Sequence, residues 1–73
     1  EQLDLLVLKG GGGTNIVPLI NSIIAESPEV ALIFTDGYFS MPDLSKLTTD
    51  IIWIIKNNPN FSAPLGRIIH MEN

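Results

Sequence analysis

The sequence predicts an α/β fold, a mostly parallel sheet carrying one main helix. Two continuous apolar runs, Val30–Thr35 (VALIFT) and Ile51–Ile55 (IIWII), have strand length and sit between polar residues. Such runs suit strands covered on both faces, as in a parallel sheet. Only one stretch has helical periodicity, and it lies between a first short strand and these two.

The first strand is Leu3–Leu8 (LDLLVL), followed by four tandem glycines, Gly10 to Gly13. Thr14 and Asn15 then offer a helix N-cap. Ile16, Leu19, Ile20, Ile23 and Ile24 recur at the spacing of one helical face, while Asn21, Ser22 and Glu26 fall mostly on the other. Pro18 is tolerated in a first turn, where its missing N–H has no intrahelical partner. The helix is therefore expected over Thr14–Ala25, and Ser27-Pro28 ends it. Asp36-Gly37 closes the second strand. Tyr38 to Thr49 reads as loop, with at most one helical turn capped by Asp43. Ile51–Ile55 is rich in β-branched and aromatic residues, as strands are. Asn57–Pro64 is turn material, and Gly66–Met71 (GRIIHM) is a last strand. One full helix is too little to cover both faces of such a sheet. Further sequence or another chain is expected to complete the layers, and self-association is expected of the chain alone.

Composition narrows the function. The chain has 73 residues, no cysteine and a net charge of −4. A domain of this length buries only about 60% of its unfolded surface. Its core rarely supplies more than about 3–5 kcal/mol without a staple. No disulfide is possible, so a metal or a partner chain is the remaining candidate. Absent cysteine also favours a reducing compartment, and the expected location is cytoplasmic. Lys9, Lys46, Lys56 and Arg67 are scattered, which argues against nucleic acid. No apolar run reaches the ~18–20 residues of a membrane span, and no signal peptide is visible. The chain starts at Glu1 rather than methionine, from which upstream sequence is expected.

Two loops can carry chemistry. Gly10–Asn15 leads into a helix N-terminus, where glycines admit close approach and free N–H groups favour an anion. A phosphate loop would need Lys-Ser or Lys-Thr after its last glycine, but Thr14-Asn15 follows instead. A dinucleotide fingerprint is matched only within the glycine run, with Asp36 as the acidic residue about 20 residues on. The plain alternative is a flexible turn. In Asp36–Ser40, Asp36 directly follows a buried strand, where open α/β sheets bind ligands, and its carboxylate suits a metal or a metal-bound water. There the plain alternative is an Asp-Gly turn. His70 has no second histidine or cysteine spaced for zinc. Trp53, flanked by isoleucines, is expected in the core. No Ser-His-Asp or Cys-His arrangement is available.

The order and spacing of Lys9–Asn15 (KGGGGTN), Leu32–Tyr38 (LIFTDGY), Pro42, Ile52-Trp53-Ile54 and Leu65–Ile69 (LGRII) resembles the C-terminal half of a von Willebrand factor A-like (VWA-like) domain. The likeness is greatest to bacterial VWA-like domains that follow metallopeptidase-type domains. It implies a partial, Rossmann-like VWA-type sheet over residues 1–73, as a single domain lacking its first strand. It also implies a metal-ion-dependent adhesion site (MIDAS), in which Thr14 and Asp36 would supply oxygens to Mg²⁺. The Asp-x-Ser-x-Ser element of that site is absent, and Asn15 stands where the family often has aspartate. Magnesium is accordingly expected to bind weakly or not at all to this chain. Such domains usually run an edge strand antiparallel, so the first strand could oppose Val30–Thr35. The functional expectation is a metal-assisted protein-binding module that is not itself catalytic. Its expected partners are a protein and the upstream segment of the same polypeptide. The alternatives are a fragment of a metal-dependent hydrolase or phosphoryl-transfer domain using Asp36, and a structural half-domain without ligand.

Overall fold

The computed structural model describes residues 4–10 and 15–71. The elements are β1 (Leu5–Lys9), α1 (Val17–Glu26), β2 (Val30–Thr35), β3 (Asp50–Lys56) and β4 (Arg67–Met71). They form one four-stranded sheet in the order β1-β2-β3-β4, and every neighbouring pair is parallel. β1 thus corrects the antiparallel edge that the resemblance implied. It pairs directly with β2, Leu5 beside Val30 and Lys9 beside Phe34.

The strand order dictates the layers. Parallel crossovers are overwhelmingly right-handed, so a chain that steps across the sheet in one direction lays every connection on the same face. The packing follows this rule. Ile16, Ile20 and Ile23 from α1 and its cap, and Leu44 from the β2–β3 connection, join Ala31, Ile33, Ile51, Trp53 and Ile55 in one core. Phe39, Met41 and Leu47 from the second connection, and Phe61, Ala63 and Leu65 from the third, pack against that core. Only the first connection contains a helix. The other two are loops whose apolar side chains do the covering.

The alternating burial along β2 and β3 revises the expectation of two-sided coverage. Ala31, Ile33 and Thr35 are buried, but Val30, Leu32 and Phe34 between them are only half-buried. β3 repeats the pattern, with Ile51, Trp53 and Ile55 buried and Ile52 and Ile54 half-buried. On the second face of the edge strands, Leu5, Val7, Ile69 and Met71 are exposed.

α1 starts later than its sequence suggests. Ile16 is the cap residue, and Pro18 lies in the first turn. The Val17 N–H donates to Asn15 Oδ1 at 3.1 Å, so Asn15 does supply a capping oxygen, two residues ahead. The helix ends where Ser27 turns into the left-handed region (φ 49°), its N–H donating to the Ile23 carbonyl. Around Asp43 there is a turn rather than a helical turn: the Ser45 N–H donates to Asp43 Oδ1 at 3.0 Å. That bond, then the Ser45 hydroxyl and the nearby charge of Lys46, hold the exposed Asp43 carboxyl below its ordinary range.

One buried hydroxyl ties the sheet's lower edge together. Thr49 Oγ1 donates to the Pro28 carbonyl at 2.7 Å, linking the residues ahead of β3 to those ahead of β2. Thr49→Val keeps the shape and strands the acceptor, and is expected to cost about 1–2 kcal/mol. Urea unfolding of the two proteins checks this, with an unchanged slope and a lower midpoint.

Candidate functional site

The candidate site is the rim at the C-terminal ends of β1, β2 and β3. It is built from the ends of buried strands outward. β2 delivers Thr35 to the covered face, and the next residue, Asp36, leaves the ladder half-exposed. Three hydrogen bonds then fix the loop. The Gly37 N–H donates to Thr35 Oγ1 at 3.1 Å, and the Tyr38 N–H donates to Asp36 Oδ1 at 3.0 Å. From the next connection, Asn58 Nδ2 donates to the Asp36 carbonyl at 3.0 Å. Asp36 is therefore held in a side-chain-capped turn of the Asx type. The plain reading of Asp36-Gly37 as a turn holds, and the turn sits on the rim where a ligand could meet it.

Gly37 is required there. Its φ is +78°, and a Cβ would run into the Phe61 ring and approach Asn58 Nδ2 to 3.1 Å. The loop can follow its path only because residue 37 has no side chain.

Beside Asp36 lies an open hollow of about 530 Å³, lined by Lys9, Phe34, Tyr38, Ile54, Lys56 and Met71 among others. Phe34, Ile54 and Met71 form an apolar floor. Lys9 and Lys56 supply positive charge on either side, and Tyr38 stands exposed at the mouth. Sequence reasoning found Asp36 but not these lysines, since Lys9 and Lys56 are 47 positions apart. Only the parallel register, which brings both strand ends to one rim, joins them.

The metal expectation meets this donor set directly. Thr14 lies outside the described residues. Among the described residues no group of three histidine, cysteine, aspartate or glutamate side chains is placed to hold an ion. The rim offers one carboxylate, already accepting a backbone N–H, with two ammonium groups lining the same hollow. Magnesium needs several oxygen ligands, and cations repel it. These residues by themselves do not fit a metal. Among the described residues the topology also lacks the usual place for a ligand crevice. Connections that diverge to opposite faces make a switch point, whereas here they all lie on one.

The remaining singled-out residues fall outside the rim's chemistry. Trp53 is fully buried, its Nε1–H donating to the Leu65 carbonyl at 3.0 Å. Its ring packs with Phe39 and Phe61 at centroid distances of 6.0 and 5.4 Å. His70 is exposed on the edge strand β4. No helix among the described residues is long and apolar enough to cross a membrane.

Comparison with known proteins gives a family match. A family model described as "VWA-like domain (DUF2201)" fits residues 1–72. No curated protein and no solved structure matches the chain.

Proposed function

Because the chain belongs to the VWA-like (DUF2201) family, we propose that it is part of a protein-binding module that presents its ligand-facing surface at the rim around Asp36. The observation that carries this reading is the hollow beside Asp36, with its apolar floor, two flanking lysines and an exposed tyrosine. A surface of that kind suits a side chain that is apolar along its length and anionic at its tip, or an acidic residue next to an aliphatic or aromatic one. Asp36 shares that hollow with two lysines, a charge arrangement that suits recognition of another polypeptide.

Metal assistance, in this reading, would draw on oxygens beyond the rim's single carboxylate: the Thr14 hydroxyl and an Asp-x-Ser-x-Ser element from elsewhere. Two donors alone correspond to the weak, millimolar end of oxygen sites.

A single NMR titration series tests both halves. Short peptides pairing an acidic with an aromatic or aliphatic residue are expected to shift the amides of Phe34–Tyr38 and Lys56. Lys56→Glu should weaken that binding about tenfold, by replacing attraction with repulsion. Mg²⁺ or Mn²⁺ is expected to change nothing below about 1 mM. Peptides that leave the rim amides unmoved would overturn the protein-binding reading. Micromolar metal affinity abolished by Asp36→Ala would restore the metal site.

A further inference from the structure

The open face of the sheet gathers most of the chain's positive charge, and we propose that an acidic amphipathic helix of a partner protein covers it, seated along β2 between Lys9 and Lys56. This names the kind of partner that the rim takes, and it rests on the protein-binding reading of that rim. The residues on this face follow from the register. Val7, Leu32 and Ile52 lie in one row with Arg67, and Phe34, Ile54 and Ile69 in the next with Lys9. Leu32, Phe34, Ile52 and Ile54 are only half-buried, and Val7 and Ile69 are exposed. Among the described residues no element covers this face.

Charge selects the chemistry of the partner. The chain has four basic and eight acidic residues. Three of the four basic ones, Lys9, Lys56 and Arg67, stand on this face, Lys56 beside Met71 one step past the second row. Of the acidic ones, the described residues place only Asp36 and Asp50 there. Asp50 lies beside Val30 towards the Arg67 end, where the two charges offset each other. At the opposite end Lys9 and Lys56 outnumber Asp36, whose Oδ1 already accepts the Tyr38 N–H. The face is therefore basic where the strands end, although the chain as a whole carries a net charge of −4. A second copy does not supply the complement. The apolar side of α1 is committed to the core through Ile20 and Ile23, and its first turn has no acidic residue.

Shape selects a helix. Parallel sheets occur almost only with both faces covered, and helices are their usual cover. Four strands about 4.8 Å apart, at about 3.3 Å per residue, make a face roughly 15 Å wide and about 17 Å long. One helix, about 10–12 Å across with its side chains, fits that width, and two do not. About eleven residues span the length at about 1.5 Å each. An apolar stripe at i, i+3, i+4 and i+7 rests on Leu32 and Phe34, with Val7, Ile52 and Ile54 beside them. Lys9 and Lys56 belong to the strands on either side of β2, so they straddle a helix lying along it and meet carboxylates on both of its flanks. The hollow between them is concave, which a helix enters and a flat anionic membrane does not.

The test is an amide NMR titration of the 73-residue chain with three synthetic peptides. The first is about 14 residues long, with leucine at the stripe positions and glutamate on both flanks. The second carries lysine for each glutamate, and the third has a central proline that breaks the helix. The first is expected to shift Val7, Leu32 and Ile52 as well as the rim, to bind in the range of tens of micromolar, and to gain helical circular dichroism on binding. The other two are expected to bind about tenfold more weakly or worse. Lys9→Glu and Lys56→Glu should each weaken the first peptide about tenfold, whereas Lys46→Glu, in the β2–β3 connection, should leave it unchanged. The Trp53 indole N–H resonance confirms that each variant is folded. A proline peptide that binds as tightly as the helical one overturns the helix and leaves the rim's protein-binding role standing. Shifts confined to Phe34–Tyr38 and Lys56 do the same. Binding indifferent to charge reversal on either side overturns the acidic partner. Vesicles of anionic phospholipid that bind in preference to the first peptide overturn it in favour of a membrane surface. A chain whose amides no acidic peptide moves, short or helical, overturns both readings.

Discussion

Replacing Trp53 with alanine is expected to unfold the chain. Trp53 is fully buried at the centre of β3, between the helix layer and both loop connections. Its ring is the surface on which Phe39 and Phe61 meet. Those two residues are among the apolar anchors of connections that have no helix of their own. Truncation of a buried aromatic costs about 3–5 kcal/mol, which matches the most that a core of this size usually supplies. The Leu65 carbonyl would also lose its donor. Far-UV circular dichroism at 25 °C should show loss of the native spectrum. Trp53→Phe separates the two contributions: it keeps an aromatic ring and removes the Nε1–H. It is expected to remain folded and to lose about 1–3 kcal/mol in urea unfolding. A cooperatively folded Trp53→Ala protein would mean that the connections are anchored elsewhere.

Strands and helix were legible in the sequence because their signals are local. Val30–Thr35 has the same bounds in both readings, and β3 extends Ile51–Ile55 by one polar residue at each end. The helix face Ile16, Ile20, Ile23 is the buried one, with Leu19 half-buried and Ile24 at the exposed margin. Two-sided burial was not legible. A run such as VALIFT shows that neither face carries charge, but not that both faces are covered. Coverage depends on strand order, and the order β1-β2-β3-β4 sends every connection to one side. The direction of β1 was likewise beyond local reading, because strand sense lies in the pairing partner and not in Leu5–Lys9 itself.

The site divides in the same way. Asp36 is visible from its place after a buried strand and before glycine, both local features. The charge around it is not, because Lys9, Asp36 and Lys56 converge only through parallel register. This convergence changes the chemistry expected of the rim. An isolated strand-end carboxylate suggests a cation, whereas one flanked by two lysines and an apolar floor suggests a surface for another polypeptide. Asn58 was read only as turn material, yet its amide holds the Asp36 backbone.

Gly66→Ala is expected to be the most damaging of the small substitutions, at roughly 2–5 kcal/mol from backbone strain and overpacking together. Gly66 has φ +95°, outside the region that side chains readily accept. A Cβ there would stand 2.9 Å from the Ile51 carbonyl oxygen and 2.9 Å from Trp53 Nε1. Neither neighbour can give way cheaply. One is backbone within β3, and the other belongs to a fully buried ring whose N–H is committed to Leu65. The added methyl must therefore push the segment before β4 away from β3, loosening the Trp53–Leu65 bond and the Ile52–Arg67 register that follows it. Gly10→Ala is the control. A Cβ at Gly10 meets Leu19 and Thr35 Oγ1 no closer than 3.7 Å, and its backbone is outside the positive-φ region. That substitution is expected to lie within about 1 kcal/mol of the parent, on the stable side if restricting the unfolded chain dominates. Urea unfolding of both variants gives the comparison, and the Trp53 indole N–H resonance reports the local effect directly. It should move in Gly66→Ala and stay in place in Gly10→Ala. Equal midpoints for the two would show that residue 66 does not sit against β3 in solution.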